Sequence, residues 1–129
     1  MKDMLEIINA RLRANSELVA LAGNRIVAYA YPESADHDKL FVVISPLGPP
    51  EPAISASDTE LAQGFTYQIN VEDHDWKKAK QAQSLIKHEM AALNFAQVHG
   101  GLDTYFGETK RFVDARRYEG TTRLYDDDY

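Results

Sequence analysis

Apolar residues that recur at steps of three and four along the chain predict three helices. The first is an amphipathic helix over residues 2–13, and the second is a short helix over residues 17–22. Asn15-Ser16 is a candidate N-cap of the second helix, and Gly23 is suited to a left-handed C-cap. The third and longest helix is predicted over residues 76–93. Its apolar stripe consists of Trp76, Ala79, Ala82, Ile86, Met90 and Leu93.

Residues 65–72 give the clearest strand signal, because apolar and polar residues alternate along them without exception. Residues 40–44 form a continuous apolar run, which predicts a strand covered on both faces or a strand against a subunit partner. Residues 25–31 predict a short edge strand that ends at Pro32. Towards the C-terminus the pattern predicts a turn at Gly100-Gly101, strands over residues 102–108 and 110–118, a turn at Glu119-Gly120 and a last strand over residues 121–125.

Residues 45–59 contain four of the five prolines and predict an extended loop of about 15 residues without ladder hydrogen bonds. The order of the elements predicts one α+β domain over residues 1–125. In this domain an antiparallel sheet of about four to six strands has an N-terminal helical hairpin and one long helix packed on one face. Residues 126–129 are expected to form an acidic C-terminal tail.

The chain has 129 residues, no cysteine and a net charge of −6. Without cysteine it cannot form disulfides, thiolate zinc sites, iron–sulfur clusters or a thiol nucleophile. Lys2, Asp3 and Glu6 lie where a signal peptide needs an apolar run, and no segment approaches the roughly 20 apolar residues of a membrane span. We therefore expect a soluble protein that is not exported by that route and makes no contact with a membrane.

Acidic residues are concentrated in the middle of the chain. Residues 28–76 hold nine acidic residues and one basic residue, whereas the two flanking segments are nearly balanced. A nucleic-acid-binding protein needs clustered lysine and arginine, and the clusters here are the short ones within residues 77–80 and 110–117. Tight binding of DNA or RNA by a single chain is therefore not expected.

Two patterns have residue types that could serve a metal-dependent reaction. Asp36-His37-Asp38 and Asp73-His74-Asp75 could share a divalent metal if their two turns met. Asp103, Glu108 and Lys110 have the residue types of a metal-dependent nuclease. The plainer interpretation is that the tripeptides cap turns and helices, where aspartate is favoured, and that the other three residues match by chance. We expect no catalytic residue, no metal site and no cofactor.

Four segments together resemble a known family. They are residues 16–27, which join a short helix to a strand, residues 39–46, residues 67–72 and the helix end at residues 90–94. This succession resembles the tail-terminator and tail-completion proteins of long-tailed bacteriophages and prophages, which are small α+β proteins of the head–tail junction. The resemblance covers residues 5–118 and includes no catalytic signature.

The resemblance implies a structural protein of the virion, and no enzyme. Such proteins typically form a ring, most often a hexamer, that caps the finished tail tube and joins the tail to the filled head. The partners would be other copies of the chain, the tail tube protein and the head-completion or neck proteins, with DNA only as passing cargo. The protein would lie at the head–tail junction of the virion, and in the host cytoplasm during assembly. An alternative of another class is a monomeric, prophage-encoded adaptor or inhibitor module that binds a host protein.

Candidate contact residues follow from proline chemistry and from exposed strand edges. Proline has little conformational freedom left to lose on docking, and unpaired edges can be extended by a partner. The predicted partner or oligomer interface consists of Pro46, Pro49, Pro50, Pro52, Ile54, Ile26, Tyr29, Tyr31, Arg116 and Arg117. The residues predicted to face the lumen of a ring and repel DNA are Glu33, Asp36, Asp38, Glu51, Asp58 and Glu60.

Two local expectations concern side-chain placement. Arg116 and Arg117 are adjacent on a predicted strand and should point to opposite faces, which favours salt bridges over a nucleic-acid patch. Tyr67 and Trp76 are expected to anchor the core rather than to form a ligand platform.

Overall fold

The computed structural model describes residues 1–56, 59–123, 126 and 128–129, and it leaves out the side chains of residues 54–56, 59 and 60. Within this part of the chain, no helix is long and apolar enough to cross a membrane. The helices are α1 (Met4–Arg13), α2 (Ser16–Ala22) and α3 (Trp76–Ala92). The strands are β1 (Ile26–Ala28), β2 (Phe41–Pro46), β3 (Glu51–Ala56), β4 (Thr59–Asp73), β5 (Phe95–Phe106) and β6 (Arg111–Thr121).

Each helix begins at a residue whose side chain accepts hydrogen bonds from the first turn. Asp3 caps α1, Asn15 caps α2 and Asp75 caps α3. Gly23 ends α2 with φ of 57°, a conformation that glycine adopts without a Cβ penalty. The three predicted helices and Asn15 as the N-cap of α2 are therefore confirmed. Gly23 ends α2 with the expected positive φ, but its ψ of −132° is not that of the predicted left-handed C-cap.

The sheet has the strand order β1-β2-β4-β6-β5, and β3 also pairs with β4. Every pair is antiparallel except β1 with β2, which is parallel. The predicted α+β class is confirmed, with six strands in a mixed sheet rather than a purely antiparallel one. Strand β1 lies at the edge as predicted, but it spans Ile26–Ala28 and not all of residues 25–31.

The two faces of the sheet differ in what covers them. One face, here called the helix-covered face, packs against α1, α2 and α3. Its residues include Val42, Ile44, Phe65, Tyr67, Ile69, Val71, Phe95 and Tyr118, and all are buried. The cross-strand registers place Phe41, Val43, Asn70, Ala115 and Leu102 on the opposite, helix-free face. Tyr67 is thereby confirmed as a core residue.

Strand β2 is buried on both faces, as its continuous apolar run predicts. Phe41 is 2% exposed and Val43 is 8% exposed, although both belong to the helix-free face. The segment after β1 turns back over this part of the face, and the Tyr31 ring stacks on the Phe41 ring at a centroid distance of 3.8 Å. His37 meets the same ring edge-on at 5.7 Å. The cover on the second face is therefore part of the same chain.

The predicted structureless loop over residues 45–59 is wrong in its second half. Residues Glu51–Ala56 form β3, which pairs antiparallel with the first part of β4. The ladder shifts register between Pro52 and Ile54, and proline without an N–H is tolerated at such an irregular edge. The proline signal predicts that hydrogen bonds are missing at single residues, but it does not exclude a strand around them.

Three other expectations are corrected by the structure. Gly100-Gly101 does not turn the chain but forms an irregularity inside β5, where both glycines have φ near 110°. Glu119-Gly120 likewise lies inside β6. Trp76 is half-exposed at the first residue of α3 and is not a core anchor.

Gln83 is a fully buried polar residue that ties α3 to two strands. Its side-chain amide donates hydrogen bonds of 2.8 Å to the main-chain oxygens of Ile69 in β4 and Asp114 in β6. The Tyr118 hydroxyl donates a hydrogen bond to Gln83 Oε1 at 3.5 Å. A buried amide is costly without partners, so this geometry fixes the position of α3 over the sheet.

Replacing Gln83 with methionine keeps the volume and removes these hydrogen bonds. We expect the free energy of unfolding to fall by about 1–3 kcal/mol, because the Tyr118 hydroxyl loses its buried partner. Urea unfolding followed by circular dichroism measures this change. Gln81→Met, on the exposed side of the same helix, is the matched control and should leave the midpoint nearly unchanged. Equal midpoints for the two variants would contradict the assigned role.

Candidate assembly surfaces

The predicted proline surface is divided between two recesses. Pro46, Pro49 and Pro50 line a recess of about 400 Å³ together with Tyr29, which is 68% exposed. Pro49 and Pro52 line a larger groove of about 540 Å³, which β3 shares with the end of α3 and the start of β5. The structure therefore brings Tyr29 together with three of the four predicted prolines.

The two chain termini form one wall of the smaller recess. The Lys2 main-chain N–H donates to the Asp128 main-chain oxygen at 2.8 Å, and the Lys2 ammonium group pairs with Asp126. The Tyr129 ring packs edge-on against Phe65 at 5.2 Å. Hydrogen bonding to Asp126 raises the pKa of Lys2. Tyr129 of the predicted tail thus lines the same recess as the prolines. The domain boundary at residue 125 stays a prediction.

Two predicted contact residues of the β1 region are engaged inside the chain. Ile26 is fully buried, so only its main chain could reach a partner. The Tyr31 hydroxyl donates a 2.6 Å hydrogen bond to the main-chain oxygen of Asp36. Burial raises the pKa of Tyr31. Tyr29 is therefore the residue of this group whose side chain is free to meet a partner.

The two Asp-His-Asp turns do meet. His74 Nε2 lies 3.9 Å from Asp38 Oδ1, and His74 Nδ1 lies 2.6 Å from the main-chain oxygen of Lys110. Asp36 accepts a hydrogen bond from the main-chain N–H of Asp38, and Asp75 caps α3. Across the described part of the chain, no three His, Asp or Glu residues are grouped so that they could hold a metal ion. Asp36 and Asp75 thus make the local contacts of a turn and a helix cap, and the expectation of no metal site stays a prediction.

A charged network that the sequence did not predict lies between α3, β5 and β6. Lys80 donates 2.6 Å hydrogen bonds to both Asp103 and Asp114, which face each other across β5 and β6. The Asp114 carboxylate is only 4% exposed, and Arg116 donates to it at 2.9 and 3.1 Å. Of the three residues that match a metal-dependent nuclease, Asp103 belongs to this ion-pair network, whereas Glu108 and Lys110 lie in the turn after β5.

The pKa shifts in this network reflect its hydrogen bonds. The hydrogen bond to Asp114 raises the pKa of Arg116 despite partial burial. Burial alone lowers the pKa of Lys80, but its hydrogen bonds to Asp103 and Asp114 more than offset that effect, and the pKa is raised. Both cations therefore stay charged and balance the two carboxylates.

Arg116 and Arg117 point to opposite faces, as predicted. Arg117 lies on the helix-free face, where its Nε donates to Gln68 Oε1 at 3.0 Å. Its side chain also passes so close to Gly100 that a Cβ there would lie 2.8 Å from Arg117 Cδ. Arg116 forms a salt bridge with Asp114, so the predicted pairing with an acidic neighbour is confirmed for this residue.

The predicted acidic residues that the structure describes share one side of the molecule. Glu33, Asp36 and Asp38 are exposed on the segment that crosses the helix-free face. Glu51 is exposed and pairs with Gly64, which places it on the same face. Asp58 lies outside the described residues, as do the side chains of Glu60 and Ile54.

Three exposed lysines lie on the other side of the sheet. Lys77, Lys78 and Lys87 are exposed on α3, which covers the opposite face of the sheet. The acidic segment and these lysines are thus separated by the thickness of the sheet and one helix. The helix-free side carries the acidic segment but also the exposed Arg117, and the helical side carries these lysines but also the exposed Glu6 and Glu17.

Replacing Lys80 with methionine removes one cation from a buried carboxylate. We expect the free energy of unfolding to fall by about 1–3 kcal/mol, because Asp114 keeps only Arg116 and stands opposite Asp103 without a bridging charge. Thermal unfolding at neutral pH measures the loss. Lys77→Met, an exposed substitution of the same chemistry on the same helix, is the control. A Lys80 variant as stable as this control would show that the network contributes nothing to stability.

Comparisons with known proteins give a fold but no sequence family. No family model matches the chain, and a search of curated proteins gives no match either. Among solved structures, the chain is similar to a protein chain in the virion of a native gene transfer agent particle, with a TM-score of 0.67 and 15% sequence identity. The match covers 88% of this chain and 90% of the other. It shows that the two chains share one fold over nearly their whole lengths.

Proposed function

We propose that this chain is a structural protein of a phage-like virion. The observation that carries the proposal is the shared fold with a chain of a gene transfer agent virion, which extends over 88% of this chain. The resemblance of residues 5–118 to tail-terminator and tail-completion proteins points in the same direction. Neither observation supplies a catalytic residue, and no catalytic activity is part of the proposal.

The more specific role is a ring, a hexamer by the family resemblance, that caps the tail tube and joins it to the head. A ring protein needs surfaces for its own copies, for the tube and for the neck. The recess that Tyr29 shares with Pro46, Pro49 and Pro50 offers apolar surface with little conformational freedom to lose. It is the proposed contact for the neighbouring copy or the tube protein.

The placement of the acidic segment favours one orientation in such a ring. DNA that passes through the ring carries a dense negative charge, and a negative wall repels it instead of binding it. The helix-free side carries Glu33, Asp36, Asp38 and Glu51 exposed. We therefore propose that this side faces the channel, while Lys77, Lys78 and Lys87 of α3 face outward.

Deletion of the gene from the phage or transfer particle that encodes it tests the role. We expect filled heads and separate tails in electron micrographs, because the piece that joins them is missing, and we expect the intact gene supplied in trans to restore joined particles. Normally joined particles after deletion would overturn the proposal. If the purified chain then bound one host protein as a monomer, the adaptor alternative would replace it.

Charge reversal tests the orientation. In a Glu33→Lys, Asp36→Lys, Asp38→Lys variant we expect joined particles with reduced DNA delivery, because a positive channel wall attracts the passing DNA. Particle counts by microscopy and delivery by transduction separate these two effects. The control variant Lys77→Glu, Lys78→Glu, Lys87→Glu changes the same number of charges on α3 and should leave delivery through joined particles normal. A loss of delivery in the control alone would reverse the proposed orientation.

A further inference from the structure

Strand β5 exposes an unusual share of the apolar surface of the molecule. Eight large hydrophobic side chains are exposed within the described part of the chain, and three of them lie in one stretch of five residues. They are Leu102 at 47%, Tyr105 at 50% and Phe106 at 44% exposure. Leu102 and Phe106 lie on the helix-free face and Tyr105 lies on the other face, so exposed apolar side chains flank the strand on both sides.

The same stretch has an unpaired backbone edge. Strand β5 ends the sheet and pairs with β6, and among the described residues the other edge of its main chain has no partner strand. A long, apolar, unprotected edge is the kind that pairs with another chain. Asp103 does not protect it, because its carboxylate is turned to Lys80 on the helix-covered face. The irregularity at Gly100-Gly101 leaves residues 101–106 as one regular segment.

The opposite end of the sheet is closed to strand addition. Strand β1 has only three residues, and the Ile26 main-chain oxygen already accepts a hydrogen bond from the Arg13 guanidinium. The Ala28 oxygen accepts one from the Ala30 N–H at 2.8 Å. In β3, Pro52 has no N–H to donate. Head-to-tail strand addition needs two different open edges, and of the two ends of the path β1-β2-β4-β6-β5 only β5 is open among the described residues.

We infer that β5 pairs antiparallel with β5 of a second copy of this chain. An edge that meets its own copy forms a two-fold contact, in which the same residues contribute from both sides. The main-chain groups at the free edge then find partners, and the exposed apolar side chains of both copies are covered. The inference concerns the free protein in solution and does not rest on the proposed function.

The side chains favour a register centred on Thr104. This register places Leu102 opposite Phe106 of the second copy on the helix-free face, where both side chains are exposed. It places Asp103 opposite Tyr105 of the second copy on the helix-covered face. A register centred on Asp103 would instead set two carboxylates directly opposite each other, which is destabilising.

The mass of the protein in solution tests the contact. Light scattering behind a sizing column, over a hundredfold range of concentration, should show the mass rise to twice the chain mass of 14.5 kDa. Leu102→Lys should reduce it to a single chain at every concentration, because two new charges enter the paired edge. Leu47→Lys is the matched control, since Leu47 is equally exposed at 45% but lies outside β5, and it should keep the dimer.

Chemical cross-linking tests the register, and it does so without a disruptive substitution. The chain has no cysteine, so Thr104→Cys introduces a single thiol that would face its own copy across the two-fold axis. A short bismaleimide should convert this variant to a covalent dimer, whereas Ala96→Cys, which is exposed on the same strand beyond Gly100-Gly101, should not be cross-linked.

A single-chain mass at all concentrations, or equal cross-linking of the two cysteine variants, would overturn the inference. So would a six-chain mass that Leu102→Lys leaves unchanged, although that result would favour the proposed ring. Joining of heads and tails is measured separately, so failure of this contact and failure of the proposed function give different observations.

Discussion

The alternation of apolar and polar residues along β4 is the constraint on which the rest of the structure depends. This strand pairs with β2, β3 and β6, so its register fixes the position of three neighbours at once. Phe65, Tyr67, Ile69 and Val71 all point to the helix-covered face and are buried. A slip of one residue would move all four to the helix-free face and place Asn70 and its polar neighbours under the helices. The alternation thereby determines which face receives α3 and which face stays free for the acidic segment.

The parts of the fold that the sequence predicts are those encoded by local periodicity. Helix positions, caps and the central strands follow from spacing and from single residues such as Asn15 and Gly23. The parts it does not predict depend on pairing between distant segments. Gly100-Gly101 is compatible with a turn or with an irregular strand, and only the pairing with β6 decides between them. Trp76 continues the apolar stripe of α3 but stands at the first residue of the helix, where it is half-exposed.

The candidate surfaces show the same division. The exposure of the acidic segment could be predicted from composition, because exposed charged side chains need no tertiary partner. The ion-pair network around Asp114 could not be predicted from composition. Its members Lys80, Asp103 and Arg116 come from three elements and meet only when α3 lies across the sheet. The sequence signal for this network is the presence of one aspartate on each of two neighbouring predicted strands. Once the strands pair, the two carboxylates need a cation between them. The position of the acidic segment on the helix-free side, away from the exposed lysines of α3, is likewise a product of the fold.

The two outer strands of the sheet differ in a way that core packing does not explain. Strand β1 is short and its outward carbonyls are engaged, which are common devices for preventing strand addition. Strand β5 is four times as long, and exposed apolar side chains flank its free edge. If both edges only had to stay soluble, both would be expected to carry protection. The asymmetry is the observation from which we infer that β5, and not β1, is the edge that pairs with a second copy of the chain.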